Sequence, residues 1–136
     1  MSYLTVGIGG IIGSLLRYYI SFSSVIWWSS PFPIATLVIN LIGCFVLGWF
    51  TTYLSKVKLF SPSLLTGFGT GLVGSFTTFS TFSVETVQLI QNSLWGFAIL
   101  YVLGSLFGGL FFSYFGYRLG DILTKNRLQR EGDTYK

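Results

Sequence analysis

Apolar residues run along this chain in long stretches, and the charged positions fall between them. Charges stand at Arg17, Lys56, Lys58 and Glu85, and then only from Arg118 onward. The stretches 18–55, 59–84 and 86–117 carry none. Each exceeds the roughly 20 apolar residues that take a helix across a bilayer. The pattern predicts an all-α membrane protein with four transmembrane helices, at 3–22, 33–55, 61–87 and 94–119. They form one transmembrane domain, 1–136, whose polar tail, 120–136, is expected to fray into solvent. The polar turn 23–31 carries Trp27 and Trp28, a pair suited to the membrane interface. Pro33 is tolerated in the first turn of the second span.

Composition sharpens this picture. Hydrophobic residues make up 51% and charged residues 9%, against about 25% charged in a soluble domain. Mean hydropathy is +0.70. These values exclude a soluble enzyme, and equally a disordered chain. The net charge of +4 does not mark a nucleic-acid binder, because the basic residues flank apolar segments. There is no histidine, and the single Cys44 has neither a disulfide partner nor metal-ligand company. The N-terminus lacks a basic region and a cleavage site, so it reads as a retained first helix.

The basic residues also set orientation. With four spans, Lys56, Lys58, Arg118, Lys125, Arg127, Arg130 and Lys136 share one side, and Arg17 alone leans to the other. The positive-inside rule then predicts both termini in the cytoplasm. Small residues four apart (Gly9/Gly13, Gly67/Gly71, Gly104/Gly108, Gly116/Gly120) predict close helix contacts. Four short helices do not easily enclose a pore, so oligomerisation is expected.

Few residues can carry chemistry. Ionisable groups in a membrane are costly, and only Arg17 and Glu85 qualify. Glu85 reads as an acceptor near a span end, and Arg17 as either an anchor or an anion attractor. Asn40 stands among Leu37, Val38, Ile39, Leu41 and Ile42; its amide is either interhelical glue or a donor to an anion. The third span is glycine-rich up to Gly74 and then alternates hydroxyls with rings. A break near 74–78 would free carbonyls, and an unwound turn in mid-membrane can hold a small cation. Phe79 and Phe82 share a helix face. They are either packing or ring edges lining an anion path. Tyr101, Ser105, Gly109 and Ser113 form a stripe on the fourth span, either a solvating track or a packing seam.

Three segments together resemble a known family. Phe76-Thr77-Thr78-Phe79-Ser80-Thr81-Phe82-Ser83-Val84-Glu85 resembles the signature of the Fluc/CrcB fluoride channels. Gly9-Gly10-Ile11-Ile12-Gly13-Ser14-Leu15-Leu16-Arg17-Tyr18 resembles its first-helix motif, and Thr36-Leu37-Val38-Ile39-Asn40-Leu41-Ile42-Gly43-Cys44-Phe45 its second. The resemblance covers about residues 3 to 120.

It implies a dual-topology antiparallel dimer with two narrow interfacial pores, a third helix broken mid-membrane, and passive export of cytoplasmic fluoride across the plasma membrane. It places Asn40, Phe79, Phe82, Thr81, Glu85, Tyr101, Ser105 and Ser113 along the fluoride path and Arg17 in the vestibule. It assigns the Gly74 and Thr77 carbonyls to a structural sodium ion at the dimer interface. The implied partners are fluoride, the lipid bilayer and a second subunit, either this chain or a homologue; nucleic acid is not among them.

Two features depart from the family pattern. Gly109 stands where family members can carry a serine. The uneven charge distribution suits one fixed-topology half of a heterodimer, although a self-paired dimer is retained as the expectation. A non-transporting assembly subunit of a larger membrane complex is one rival, and a small multidrug-type transporter is the other. It wants a carboxylate deep in the first span, where this chain has none.

Overall fold

The computed structural model describes residues 2–54, 56 and 61–134. Among them every regular element is helical. Helix α1 is Ser2–Trp27 and α2 is Ile34–Thr52. A short helix α3, Pro62–Thr66, begins at Ser61, whose hydroxyl accepts from the Leu64 amide at 3.4 Å. A wider π-helical segment, Gly67–Val73, runs on into α4, Gly74–Phe76. Two residues later comes α5, Phe79–Gln91, and a tight turn leads to α6, Trp95–Thr134.

Among the described residues, three helical stretches are long and apolar enough to cross a membrane: Tyr3–Ser24, Ile34–Thr52 and Trp95–Gln129. The stretch expected to form a further span, 61–87, is made of consecutive shorter pieces. Large apolar side chains remain on the outside, with Tyr3, Ile11, Tyr19, Phe107 and Phe111 each more than 60% exposed. A water-soluble monomer rarely shows so much contiguous apolar surface. Helices that cross a membrane carry such faces.

Two close-packed pairs build the molecule. Helix α1 lies along the π segment and α4, while α2 lies along α6. Glycines let the backbones meet. A methyl at Gly9 would strike the Gly67 carbonyl, and one at Gly13 the Leu72 carbonyl. On the other pair, a methyl at Gly48 would strike the Ser113 carbonyl and one at Gly116 the Phe45 carbonyl. Gly104 faces no neighbour within 4 Å, so the small-residue seam expected there starts at Gly108, against Leu41. A compact core joins α5 to α6 through Leu89, Ala98 and Tyr101, with Phe32, Leu37, Phe82 and Leu94 packed around it.

The tail differs from expectation. Helix α6 runs on to Thr134 instead of fraying after 119. Asp121 and Lys125, one turn apart, form an ion pair at 2.8 Å, and such pairs support an exposed helix. Thr124 is buried, and its hydroxyl bonds the Gly120 carbonyl at 2.8 Å.

Candidate functional site

The site grows from a gap in the helical ladder. Thr77 (φ −76°, ψ 158°) and Thr78 (φ −148°, ψ 119°) are both extended. A buried peptide outside a helix needs other partners, and Asn40 of α2 supplies them. Its Nδ2 donates to the Thr78 carbonyl at 3.0 Å, and its Oδ1 accepts from the Thr78 amide at 2.9 Å. One side-chain amide thereby copies the paired bonds of an antiparallel strand neighbour. The Thr78 hydroxyl starts α5. It accepts from the Thr81 amide at 3.2 Å and donates to the Thr81 hydroxyl at 2.9 Å. Gly43 leaves room for the Thr77 methyl, which a side chain there would displace.

These bonds redirect two amides. In an unbroken helix the Thr78 amide would serve the Gly74 carbonyl, and the Thr81 amide the Thr77 carbonyl. Here the first goes to Asn40 and the second to the Thr78 hydroxyl. Both carbonyls lose their helical partners. Such hard oxygens suit a small cation. Among the described residues there is no cluster of three or more His, Cys, Asp or Glu that could hold a metal instead.

A cleft of about 590 Å³ opens beside the gap, lined by Asn40, Cys44, Thr77, Phe79, Phe82 and Ser105 among others. No lining residue is charged. The Phe79 and Phe82 rings stand 5.9 Å apart, tilted by 36°. Phe79 is 79% exposed, so one wall of the cleft stands open to the outside of the chain. In the same lining, the Ser105 hydroxyl is buried without a hydrogen-bond partner among the described residues. Leaving a hydroxyl so costs free energy. A ligand or ion that accepts its proton would recover that cost.

A second polar group lies behind Phe82. Glu85 accepts from the Thr36 hydroxyl at 2.9 Å on one oxygen and from the Tyr101 hydroxyl at 2.7 Å on the other. Tyr101 is fully buried. Its ring meets Phe82 at 5.0 Å and Phe32 edge-on at 5.7 Å. Phe82 therefore joins the uncharged cleft to the carboxylate.

The structure brings together most of the residues singled out in the sequence. Asn40, Gly74, Thr77, Phe79, Phe82 and Ser105 line one cleft. Thr81 joins through Thr78, and Glu85 and Tyr101 through the Phe82 ring. Ser113 sits two turns beyond Ser105 on α6, outside the cleft lining, with its backbone against Gly48. Arg17 is half-buried on α1 and also lies outside the lining. Three contributors escaped the sequence reading: Thr36, Thr78 as the clamped residue, and Cys44 as a wall of the cleft. Thr36 had a signal, since it precedes Asn40 by one helical turn and shares its face.

Fold and site together define a helical membrane protein with an uncharged, mostly apolar cleft, edged by one amide and a few hydroxyls, at a gap between two helices. Residues 4–117 match the family described as CrcB-like protein, Camphor Resistance (CrcB), and the chain belongs to that family. It is 56% identical over 131 residues to the fluoride-specific ion channel FluC 1 of Bacillus cereus strain ATCC 14579, covering 96% of this chain and 90% of that one. It is 52% identical over 118 residues to the fluoride-specific ion channel FluC of Oceanobacillus iheyensis, covering 85% and 88%. It is 44% identical over 133 residues to FluC 2 of Listeria monocytogenes EGD-e, another fluoride-specific ion channel, covering 97% and 100%.

Proposed function

We propose that this chain conducts fluoride passively through a multi-pass channel in the plasma membrane, releasing the ion from the cytoplasm. It is a channel subunit and not an enzyme. The observation that carries this reading is the cleft itself: two phenyl rings, an amide and an orphaned hydroxyl line a space whose described lining holds no fixed charge. A small, strongly hydrated anion crosses a low-dielectric region only when donors replace its water. A strong positive group would hold the ion too long. Weak donors exchange it, with Phe79 and Phe82 offering positive ring edges, Ser105 a hydroxyl proton and Asn40 its remaining amide proton. Thr81, Glu85, Tyr101 and Ser113 continue the polar route, and Arg17 gathers anions at the vestibule.

In this reading the segment 61–87 is the third of four spans, broken in mid-membrane at Thr77 and Thr78. The open wall at Phe79 is closed by a second subunit in antiparallel orientation, giving two pores per dimer. The Gly74 and Thr77 carbonyls would hold a structural sodium ion between the subunits, where its charge offsets that of a passing anion. The uneven basic charges favour a second reading, in which the partner is a homologous chain of opposite fixed orientation. The small multidrug-type transporter remains the outside alternative.

The test is ion efflux from proteoliposomes followed with a fluoride-selective electrode. Fluoride release without chloride release is the expected result. Release of neither ion from correctly assembled dimers, with a homologous partner supplied, overturns the proposal; proton-coupled uptake of an organic cation would favour the transporter. Flux that appears only with the homologue present would establish the two-chain form.

A further inference from the structure

A second cleft, of about 340 Å³, meets the proposed path only at Glu85, which lines it. Its floor is one stripe, Glu85 and Gln88 of α5 and Asn92 just past its end, spaced three and four apart. Its other wall includes Ser24 at the end of α1 and Trp28 in the turn that follows. Trp28 is fixed there by its indole N–H, which donates to the Phe32 carbonyl at 2.7 Å. Where the first cleft carries no charge, this one carries a carboxylate and two primary amides. Among the described residues no hydrogen bond reaches the Gln88 or Asn92 side chain. Both residues are exposed, so their four N–H donors are open to water at the mouth of the cavity.

Depth agrees with a role at the pore mouth. Gln88 lies ten residues past Thr78, about 15 Å along a helix. Half the hydrocarbon core of a bilayer is about 15 Å. If the gap lies at mid-membrane, Gln88 reaches the edge of the apolar layer. Trp28, in the cleft wall, and Trp95, three residues after Asn92, stand at the same end, as interfacial aromatics do. The Glu85 oxygens are turned to Thr36 and Tyr101. That leaves the neutral amides and the Ser30 hydroxyl among the donors an anion meets.

We infer that this second cleft is the antechamber of the ion path and that Gln88 is a further specificity-determining residue, whose amide takes over water's place on the anion before the ion reaches Glu85, Tyr101 and Phe82. The inference rests on the fluoride-channel reading, and its test separates the two. Full-length dimers carrying Gln88→Leu, Gln88→Asn or Gln88→Cys are reconstituted beside wild type, the last in a Cys44→Ala background. Gln88→Leu slows fluoride efflux about tenfold, the loss of one hydrogen bond to a charged group, and Gln88→Asn restores much of it. A water-soluble thiol reagent stops flux through Gln88→Cys but not through Ile90→Cys, two residues along on the opposite side of α5. A silent wild type would reject the channel itself. A conducting wild type whose Gln88→Leu runs within twofold, or whose Gln88→Cys ignores the reagent, overturns the antechamber alone.

Discussion

Asn40 gives both ends of its amide to a single peptide, and that peptide stands where the helix stops. Asn40→Asp removes the donor and turns an acceptor toward the Thr78 carbonyl. The expected result is loss of fluoride flux and about 1–3 kcal/mol of stability, the cost of an unsatisfied buried group, read by efflux and by thermal melting in detergent. Tyr101→Phe takes one of two donors from Glu85, and is expected to cost about 1.5–3 kcal/mol, as for a bond to a charged group; an unchanged melting temperature would refute it. Phe82→Ile keeps the bulk but loses the ring, so flux should fall while the dimer remains intact by size-exclusion chromatography. Asn40 was legible in the sequence because an amide among aliphatic residues has to be accounted for. Thr36 had only its spacing from Asn40 to mark it, because a threonine in an apolar helix can satisfy itself on its own backbone, as Thr52 does with the Gly48 carbonyl at 2.9 Å. Only the fold shows that Thr36 turns to Glu85 instead.

At the scale of elements, the sequence points to a break near 74–78, at the end of a glycine-rich stretch. The structure keeps 67–74 helical, with a wider turn over Gly67–Val73, and places the extended residues at two threonines. Glycine spacing reports which backbone comes close; it does not say where a neighbouring amide will capture a peptide. Gly13→Val would push into the Leu72 backbone and should destabilise the chain by about 1–3 kcal/mol, as overpacking does, seen as a lower melting temperature. The turn after α5 offers the opposite change. Ser93 has φ 60°, its amide bonds the Ile90 carbonyl at 2.9 Å, and the Leu94 amide bonds the Leu89 carbonyl at 2.9 Å. This is a Schellman end, whose left-handed position favours glycine. Ser93→Gly should raise stability by about 1 kcal/mol, the order of the left-handed penalty for a residue with a side chain. A lower melting temperature would contradict that.

For the whole molecule, hydropathy made the membrane class plain, since uncharged runs of such length have few other uses. It could not show how helices pair, because apolar faces look alike whether they meet lipid or protein. Nor could it show that the charged end of α6 stays helical to Thr134, which depends on local pairs such as Asp121 with Lys125. From residue 119 to 134 the helix advances about 22 Å. On the proposed topology this rod stands clear of the bilayer, one per subunit. Sealed vesicles treated with trypsin from outside would therefore keep a count of orientations. Antiparallel self-pairing exposes one rod of every two, so half the chains are shortened; a fixed orientation leaves all of them whole or all of them clipped.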